Sequence, residues 1–236
     1  MLLGELTWVE VEEYLARDDR LLLPVGSTEQ HGRHLPLGTD ASIAYAIAKE
    51  VGEATGVLVA PLLPYGMSLH HMAFPGTISL KPSTLEALIL EVLQSLHQHG
   101  FRRILIVNGH GGNTPSLRSG VATLLSQGPA PALKIRSWWL EPEVKEMLDQ
   151  LLPPGAYASP GETSPSLVLH PKKVKLERAR GRQDLPIPAT GEAGLPQRKC
   201  GRRPRPGAPG DRGEGVGESG GSLHPGDRGL GTLSLI

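Results

Sequence analysis

The chain has 236 residues, with 24 Lys and Arg balancing 24 Asp and Glu for a formal net charge of zero, and a single cysteine. Zero net charge gives no electrostatic reason to expect a nucleic acid or an anionic membrane as partner, and Cys200 alone excludes an intrachain disulfide. No apolar run approaches the roughly 20 residues that cross a bilayer.

The N-terminal stretch "MLLGELTWVEVEEYLARDDR" is acidic early and lacks a basic n-region and a cleavage site. No secretory signal is expected, and the default address is cytoplasmic. The first buried-strand candidate is "RLLLPV", residues 20–25, a short continuous apolar run. A helix is expected over 41–56, with Asp40 placed to cap it and Gly56 to end it. Residues 57–66 read as a strand followed by a loop. Ser83 and Glu86 have the spacing of a capping box, ahead of a helix that stops at Gly100. "RRILIVNG", 102–109, is the clearest strand. Thr114 and Pro115 mark the start of a helix running to about Gln127. Another strand follows at 132–139 and another helix at 142–152. Strands alternating with helices imply a mostly parallel sheet covered on both faces, an α/β fold.

Beyond about residue 180 the character changes. Gly, Pro and Arg dominate residues 181–236, and apolar periodicity is nearly absent. Such a composition buries too little apolar surface to offset its ordering entropy. The tail is read either as a disordered extension or as sequence translated out of frame. On both readings the organised domain spans residues 1–180.

Two polar loops follow two of the predicted strands. "GSTEQHGRHLPLGTD", 26–40, follows the first, and "NGHGGN", 108–113, follows the strand at 102–107. Sites in open parallel sheets form outside the carboxyl ends of strands. Glu29, His31, Asp40 and His110 are therefore expected at one edge. Glu29 and His31 are two apart, which puts both on one side of an extended segment. Two carboxylates and two imidazoles suit Zn, Mn or Fe rather than a Cys-rich structural zinc. Glycines at 109, 111 and 112 allow a sharp turn and close approach to a bound group. Plainer readings stand beside these. Asp40 also serves as a helix cap, Glu29 as a surface charge, and His34, His97, His99 and His224 as solvated or hydrogen-bonded side chains.

The segments "LPVGSTEQHGRHLPLGTD" (23–40), "FPGTISL" (74–80), "NGHGGN" and "GETS" (161–164) resemble the four signature segments of the creatininase family, in order, across roughly residues 5–176. The resemblance implies a three-layer α/β/α fold and a metal-dependent hydrolase of an amide, cyclic amide or formamide bond. It implies two divalent metal ions and a homo-oligomer, up to a hexamer. By position, Glu29 and His110 match ligands of one metal and His31 a ligand of the other. Asp40 matches the bridging ligand, and Glu162 completes the second metal. His71 matches a pocket histidine, with a hydrogen-bonded loop residue as its plainer reading. Trp139 matches an aromatic that packs on substrate, with a strand-ending core aromatic as its plainer reading. Gly111 falls in the substrate-facing turn.

The resemblance also marks departures. Creatinine-cleaving members carry a carboxylate where this chain has Gly112. Tyr157 stands at a histidine assigned as proton donor, Pro160 at an additional glutamate, and Pro153 at a second pocket aromatic. Creatinine is thus not the expected substrate. His71 and Tyr157 are the candidate catalytic acids. The alternatives are cleavage of a C-terminal peptide bond in a modified precursor peptide, or a catalytically impaired metal-binding member.

Overall fold

A computed structural model describes residues 1–151 and 160–178. Tyr157, Pro153, His224 and the expected tail and domain boundary lie outside the described residues. The strands are β1 (Arg20–Val25), β2 (Leu58–Val59), β3 (Arg103–Asn108) and β4 (Ala132–Ser137). They pair in parallel in the order β2-β1-β3-β4. The helices are α1 (Trp8–Leu15), α2 (Thr39–Thr55), α3 (Pro82–Gln98), α4 (Thr114–Ser126), α5 (Pro142–Leu151) and α6 (Pro160–Leu169).

Alternation along the strands sends apolar side chains to both faces of the sheet. Leu21, Leu23, Val25, Ile104 and Ile106 pack with Leu85, Ile89 and Leu93 of α3 and Leu117 and Leu124 of α4. On the other face Leu22 and Val107 pack against Ala44 and Ala48 of α2. The result is the expected three-layer α/β/α arrangement. Tyr14 of α1 ties the first strands together: its hydroxyl donates to the Arg20 carbonyl at 2.8 Å and accepts from the Leu58 amide at 3.2 Å.

Several local expectations shift. Asp40 is not the cap of α2. The helix begins at Thr39 with Gly38 in the cap position and no side-chain cap bond, and Asp40 sits in the first turn. Its carboxylate is held instead by histidines. Gly56 does end α2, at φ 72°. The Ser83–Glu86 capping box does not form, because α3 starts two residues earlier, at Pro82 with Lys81 in the cap position, and the fixed φ of proline suits the first helical position. The capping box among the described helices is Thr7 with Glu10, at the start of α1. In α4, Thr114 is the first helical residue and Asn113 takes the cap position, after a short 3-10 turn at Gly111–Asn113. The strand expected at the start of 57–66, ahead of a loop, spans only Leu58–Val59, and the one over 132–139 stops at Ser137, before a 3-10 turn at Trp138–Leu140.

The start of α2 presses on the ends of β1 and β3. A Cβ at Gly26 would collide with the backbone of Ala41, and one at Gly109 with the Asp40 carbonyl and the Ala44 side chain. These close approaches set Asp40 directly over the two strand ends. Gly109→Ala should therefore destabilise the protein by about 1–3 kcal/mol, the usual range for overpacking. Gly38→Ala, with nothing within 4 Å of the new methyl, should stay within about 0.5 kcal/mol of wild type. Urea unfolding of the two variants checks the contrast.

Candidate metal centre

The in-register pairing of β1 with β3 sets Val25 opposite Asn108. The two polar loops thus leave the sheet side by side, and the Gly109 amide donates to the Val25 carbonyl at 2.8 Å. Inside the first loop, Glu29 donates its amide to the Leu37 carbonyl at 2.9 Å. The segment 74–80 braces the loop from outside. The Ile78 amide donates to the Thr28 carbonyl at 2.9 Å, and Thr77 Oγ1 accepts from the Gln30 amide at 3.2 Å. The 108–113 turn is locked by its asparagines. Asn113 Nδ2 donates to the Gly26 carbonyl at 2.9 Å, while Asn108 Oδ1 accepts from the His110 amide at 3.2 Å.

These supports bring Glu29, His31, Asp40 and His110 together, with Glu29 and His31 each 1% exposed. His31 Nε2 lies 2.8 Å from Asp40 Oδ1, and His110 Nδ1 lies 3.0 Å from Asp40 Oδ2. His110 Nε2 is 3.3 Å from Glu29 Oε2. Glu162, in the first turn of α6, reaches the same cluster with Oε1 3.9 Å from His31 Nε2. The carboxylate is brought there by α6 docking on the first loop. His34 Nε2 and Thr163 Oγ1 hydrogen-bond at 3.1 Å, and the Lys175 amide donates to the His34 carbonyl at 2.8 Å. His34 is thus a brace at the edge of the cluster.

The far nitrogens of the two buried imidazoles are anchored on backbone. His31 Nδ1 donates to the Glu29 carbonyl at 3.1 Å, and His110 Nε2 donates to the Met67 carbonyl at 3.0 Å. Such bonds fix ring orientation and leave one nitrogen of each ring facing Asp40. Asp40 Oδ2 is buried and makes no hydrogen bond of good geometry despite its closeness to His110. Asp40 Oδ1 is hydrogen-bonded to His31 Nε2, so the carboxylate lies between two imidazoles with one oxygen toward each, a disposition compatible with ligands around an ion. The donor set of carboxylates and imidazoles fits a divalent cation such as Zn, Mn or Fe.

His71 is also at the cluster. Gln30 Nε2 donates to His71 Nδ1 at 3.1 Å, and Gln30 Oε1 accepts from the Gly32 amide at 2.9 Å, which orients the Gln30 amide. His71 Nε2 faces Glu29 Oε1 at 3.8 Å. Trp139 lies at the rim in the 3-10 turn after β4 rather than at a strand end. Its Cζ2 would be 3.9 Å from a Cβ built on Gly111. Sequence reasoning missed His70, which joins Glu29 and His110 in a group whose potential ligand atoms lie within 4.8 Å of one another. Its only sequence signal is the pair "HH" ahead of "MAFPGT".

The family model described as creatinine amidohydrolase matches residues 4–219. The chain belongs to the creatininase family. It is 34% identical over 192 residues to a creatinine amidohydrolase of Pseudomonas putida, covering 74% of each chain. It is 41% identical over 156 residues to a mycofactocin precursor peptide peptidase of Mycolicibacterium smegmatis, which covers 64% of this chain and 57% of that protein. A solved structure described as creatininase Mn superposes with a TM-score of 0.70 at 32% identity, over 82% of this chain and 81% of the other.

Charge on this creatininase-family cluster is strongly coupled. Burial alone would lower the His31 pKa, but the hydrogen bond and charge of Asp40, with Glu162 and Glu29 behind it, raise it to about 9. Burial likewise opposes charge on His110 and is overruled by Asp40 and Glu29, so its pKa also rises. Burial disfavours the Asp40 carboxylate, yet His110 and His31 hold its pKa below the usual value. Stability from a raised histidine pKa is fully present below its unfolded value of about 6.5 and lost as pH rises through the folded value. In the presence of chelator, melting temperature should therefore fall between about pH 7 and pH 9 as His31 deprotonates. His31→Gln should flatten that fall; thermal melts across this window read it directly.

Proposed function

We propose that this chain hydrolyses an amide, cyclic amide or formamide bond at a centre holding two divalent cations. The observation that carries the reading is the Asp40 carboxylate, 3% exposed, with its two oxygens divided between His31 at 2.8 Å and His110 at 3.0 Å. A carboxylate shared this way between two imidazoles has the disposition of a bridging ligand. One cation would take Glu29, His110 and Asp40; the other would take His31, Asp40 and Glu162. Three carboxylates gathered in so closed a space need compensating positive charge, which two divalent ions supply. Bound there, such ions acidify water and polarise a carbonyl oxygen.

The remaining work falls to the chain's own groups. Burial first, and then the neighbouring His70, His110 and His31, push the His71 pKa down to about 3. His71 is thus neutral at pH 7, with Gln30 donating to its Nδ1 and the proton kept on Nε2 beside Glu29. In that state it orients Glu29 and is no source of an imidazolium proton. Protonation of the leaving nitrogen then rests on Tyr157, whose reference pKa of about 10 makes it a slow donor at neutral pH. Gly111 and the half-buried Trp139 ring supply an open mouth with one flat apolar wall for the substrate.

A second reading is cleavage of a C-terminal peptide bond in a modified precursor peptide. The 41% identity to the Mycolicibacterium smegmatis peptidase favours it, as does Gly112 in place of the carboxylate carried by creatinine-cleaving members. Turnover of creatinine, of small formamides and of short peptides, monitored by mass spectrometry, separates the substrates. Binding of two ions with no turnover in any arm identifies an impaired member. Light scattering tests the homo-oligomer. Among the described residues no helix is long and apolar enough to cross a membrane.

Asp40→Ala tests the centre itself. It should lose most bound metal by elemental analysis and essentially all hydrolysis. A variant that keeps its metal and loses only about 0.3–1 kcal/mol of stability would assign Asp40 to a charge in the first turn of α2 instead.

A further inference from the structure

We infer that the exposed apolar side chains of Tyr65, Leu69, Met72 and Ile78 form a docking ledge beside the cluster, for the uncharged residues that precede the scissile bond of a peptide substrate. The inference rests on the peptide reading above and names the kind of peptide that reading requires.

The ledge comes from a stretch without charge. Residues 54–80 contain no Asp, Glu, Lys or Arg, in a chain that is 20% charged. Part of that stretch nevertheless faces solvent: Leu69 is 40% exposed, Ile78 45%, Tyr65 46% and Met72 53%. Neighbouring exposed apolar side chains mark an interaction surface, where scattered ones do not. Local geometry makes these four neighbours in pairs. Leu69 opens a 3-10 turn, and the Met72 amide donates to the Leu69 carbonyl at 3.3 Å. Residues three apart in such a turn share a face. The parallel bridge of Gly66 with Ser79 sets Tyr65 beside Ile78. Each stands one residue before the bridged pair, so both point the same way.

Both pairs adjoin the cluster. Leu69 and Met72 bracket His70 and His71. His70 is exposed, and its potential ligand atom lies within 4.8 Å of those of Glu29 and His110. The Ile78 amide bonds the carbonyl of Thr28, directly before Glu29. The backbone of the ledge is tied in advance. The Met67 amide donates to Asn113 Oδ1 at 3.0 Å, the Ser68 amide to Ser79 Oγ at 2.7 Å, and Thr28 Oγ1 to the Pro64 carbonyl at 2.9 Å. A surface fixed before binding loses little entropy when it is occupied.

The lack of charge complements an apolar partner and gives a strongly charged one no counter-charge. A small cyclic amide or formamide gains nothing from side chains that flank the mouth. A peptide does reach them. When its last bond lies at the cations, the residues on the acyl side run back out across the mouth, at about 3.3 Å each. A second copy of the chain is a poorer match. Even at half of the roughly 250 Å² of a large aromatic, four side chains fall short of the about 800 Å² per partner that stable protein pairs bury.

The test is fluorescence anisotropy of the full chain, with zinc added, against two labelled six-residue peptides. One is built of Leu and Ala and the other of Ser and Gly, each with its last peptide bond N-methylated against hydrolysis. Wild type should bind the Leu/Ala peptide at least about tenfold more tightly. Met72→Ser and Ile78→Ser should each weaken it by about 5–10-fold. Met72→Ser should keep its bound metal and melting temperature, and Met72→Leu should bind as wild type does. Leu125→Ser, at an exposed position of α4, should also match wild type. Equal binding of the two peptides, or full affinity in both serine variants, would overturn the ledge. Release of the C-terminal residue from the unmethylated Leu/Ala peptide, read by mass spectrometry, would in that case leave the peptide reading standing. Binding without release would overturn the peptide reading and the inference with it. A serine variant of lower mass than wild type by light scattering would overturn the inference and assign the ledge to contact between copies.

Discussion

Every feature of the site depends on the parallel register of β1 against β3. Leu21 pairs with Ile104, Leu23 with Ile106 and Val25 with Asn108, so both strands end at one level. The loops that follow must then emerge side by side, and the Gly109 amide continues the ladder one step past the strand by bonding the Val25 carbonyl. A slip of one residue would exchange the side chains that face α3 and α4 with those that face α2. It would also carry His110 away from Glu29 and Asp40. The hydrophobic pattern that buries the strands is therefore the same constraint that aligns the polar cluster, and the cluster needs no separate device to find its height on the sheet.

Height alone does not bring Asp40 inward. That requires α2 to start hard against the strand ends, which only glycine at 26 and 109 permits. The helix start contributes backbone amides and a favourable dipole to a carboxylate in the first turn. Burial works against that charge, and His31 and His110 reverse the balance. The pairing is reciprocal, since Asp40 is also the main reason that both histidines resist losing their protons despite burial. Without metal, the raised proton affinity of His31 and His110 offsets part of the carboxylate charge. Entry of a cation would have to displace protons from those rings, which couples metal affinity to pH.

The strand core and the convergence of the two loops were legible in the sequence because both rest on short-range signals: apolar runs, and polar glycine-rich turns placed just after them. The four residues Glu29, His31, Asp40 and His110 follow from that placement. What stayed hidden follows from packing at long range. Ser83 and Glu86 had the spacing of a capping box, but Pro82 took the first helical position and moved the start. Asp40 matched the composition of a cap, yet its partners lie nine residues before it and seventy after it, at distances no local pattern reports. His70 drew no reading from the sequence. Its approach to Glu29 and His110 depends on a turn tied to Asn113 and Ser79, which no periodicity predicts.

The residues of the cluster are held to different standards. Asp40 comes from α2, and Glu29 and His110 from the loops that leave β1 and β3, elements joined by the sheet and by close glycine contacts. Glu29 is 1% exposed at its side chain and belongs to the first loop after the core strand. Glu162 is 25% exposed at its side chain and arrives on α6, far along the chain. Its position relies on α2–α6 packing and on the His34–Thr163 and Lys175–His34 bonds. Glu29, His110 and Asp40 are thus placed by the sheet and α2, while Glu162 depends on the docking of α6. The "LPVGSTEQHGRHLPLGTD" segment reconciles these demands within one loop. It supplies Glu29, His31 and Asp40 to the cluster, and uses His34 to receive the helix that carries Glu162.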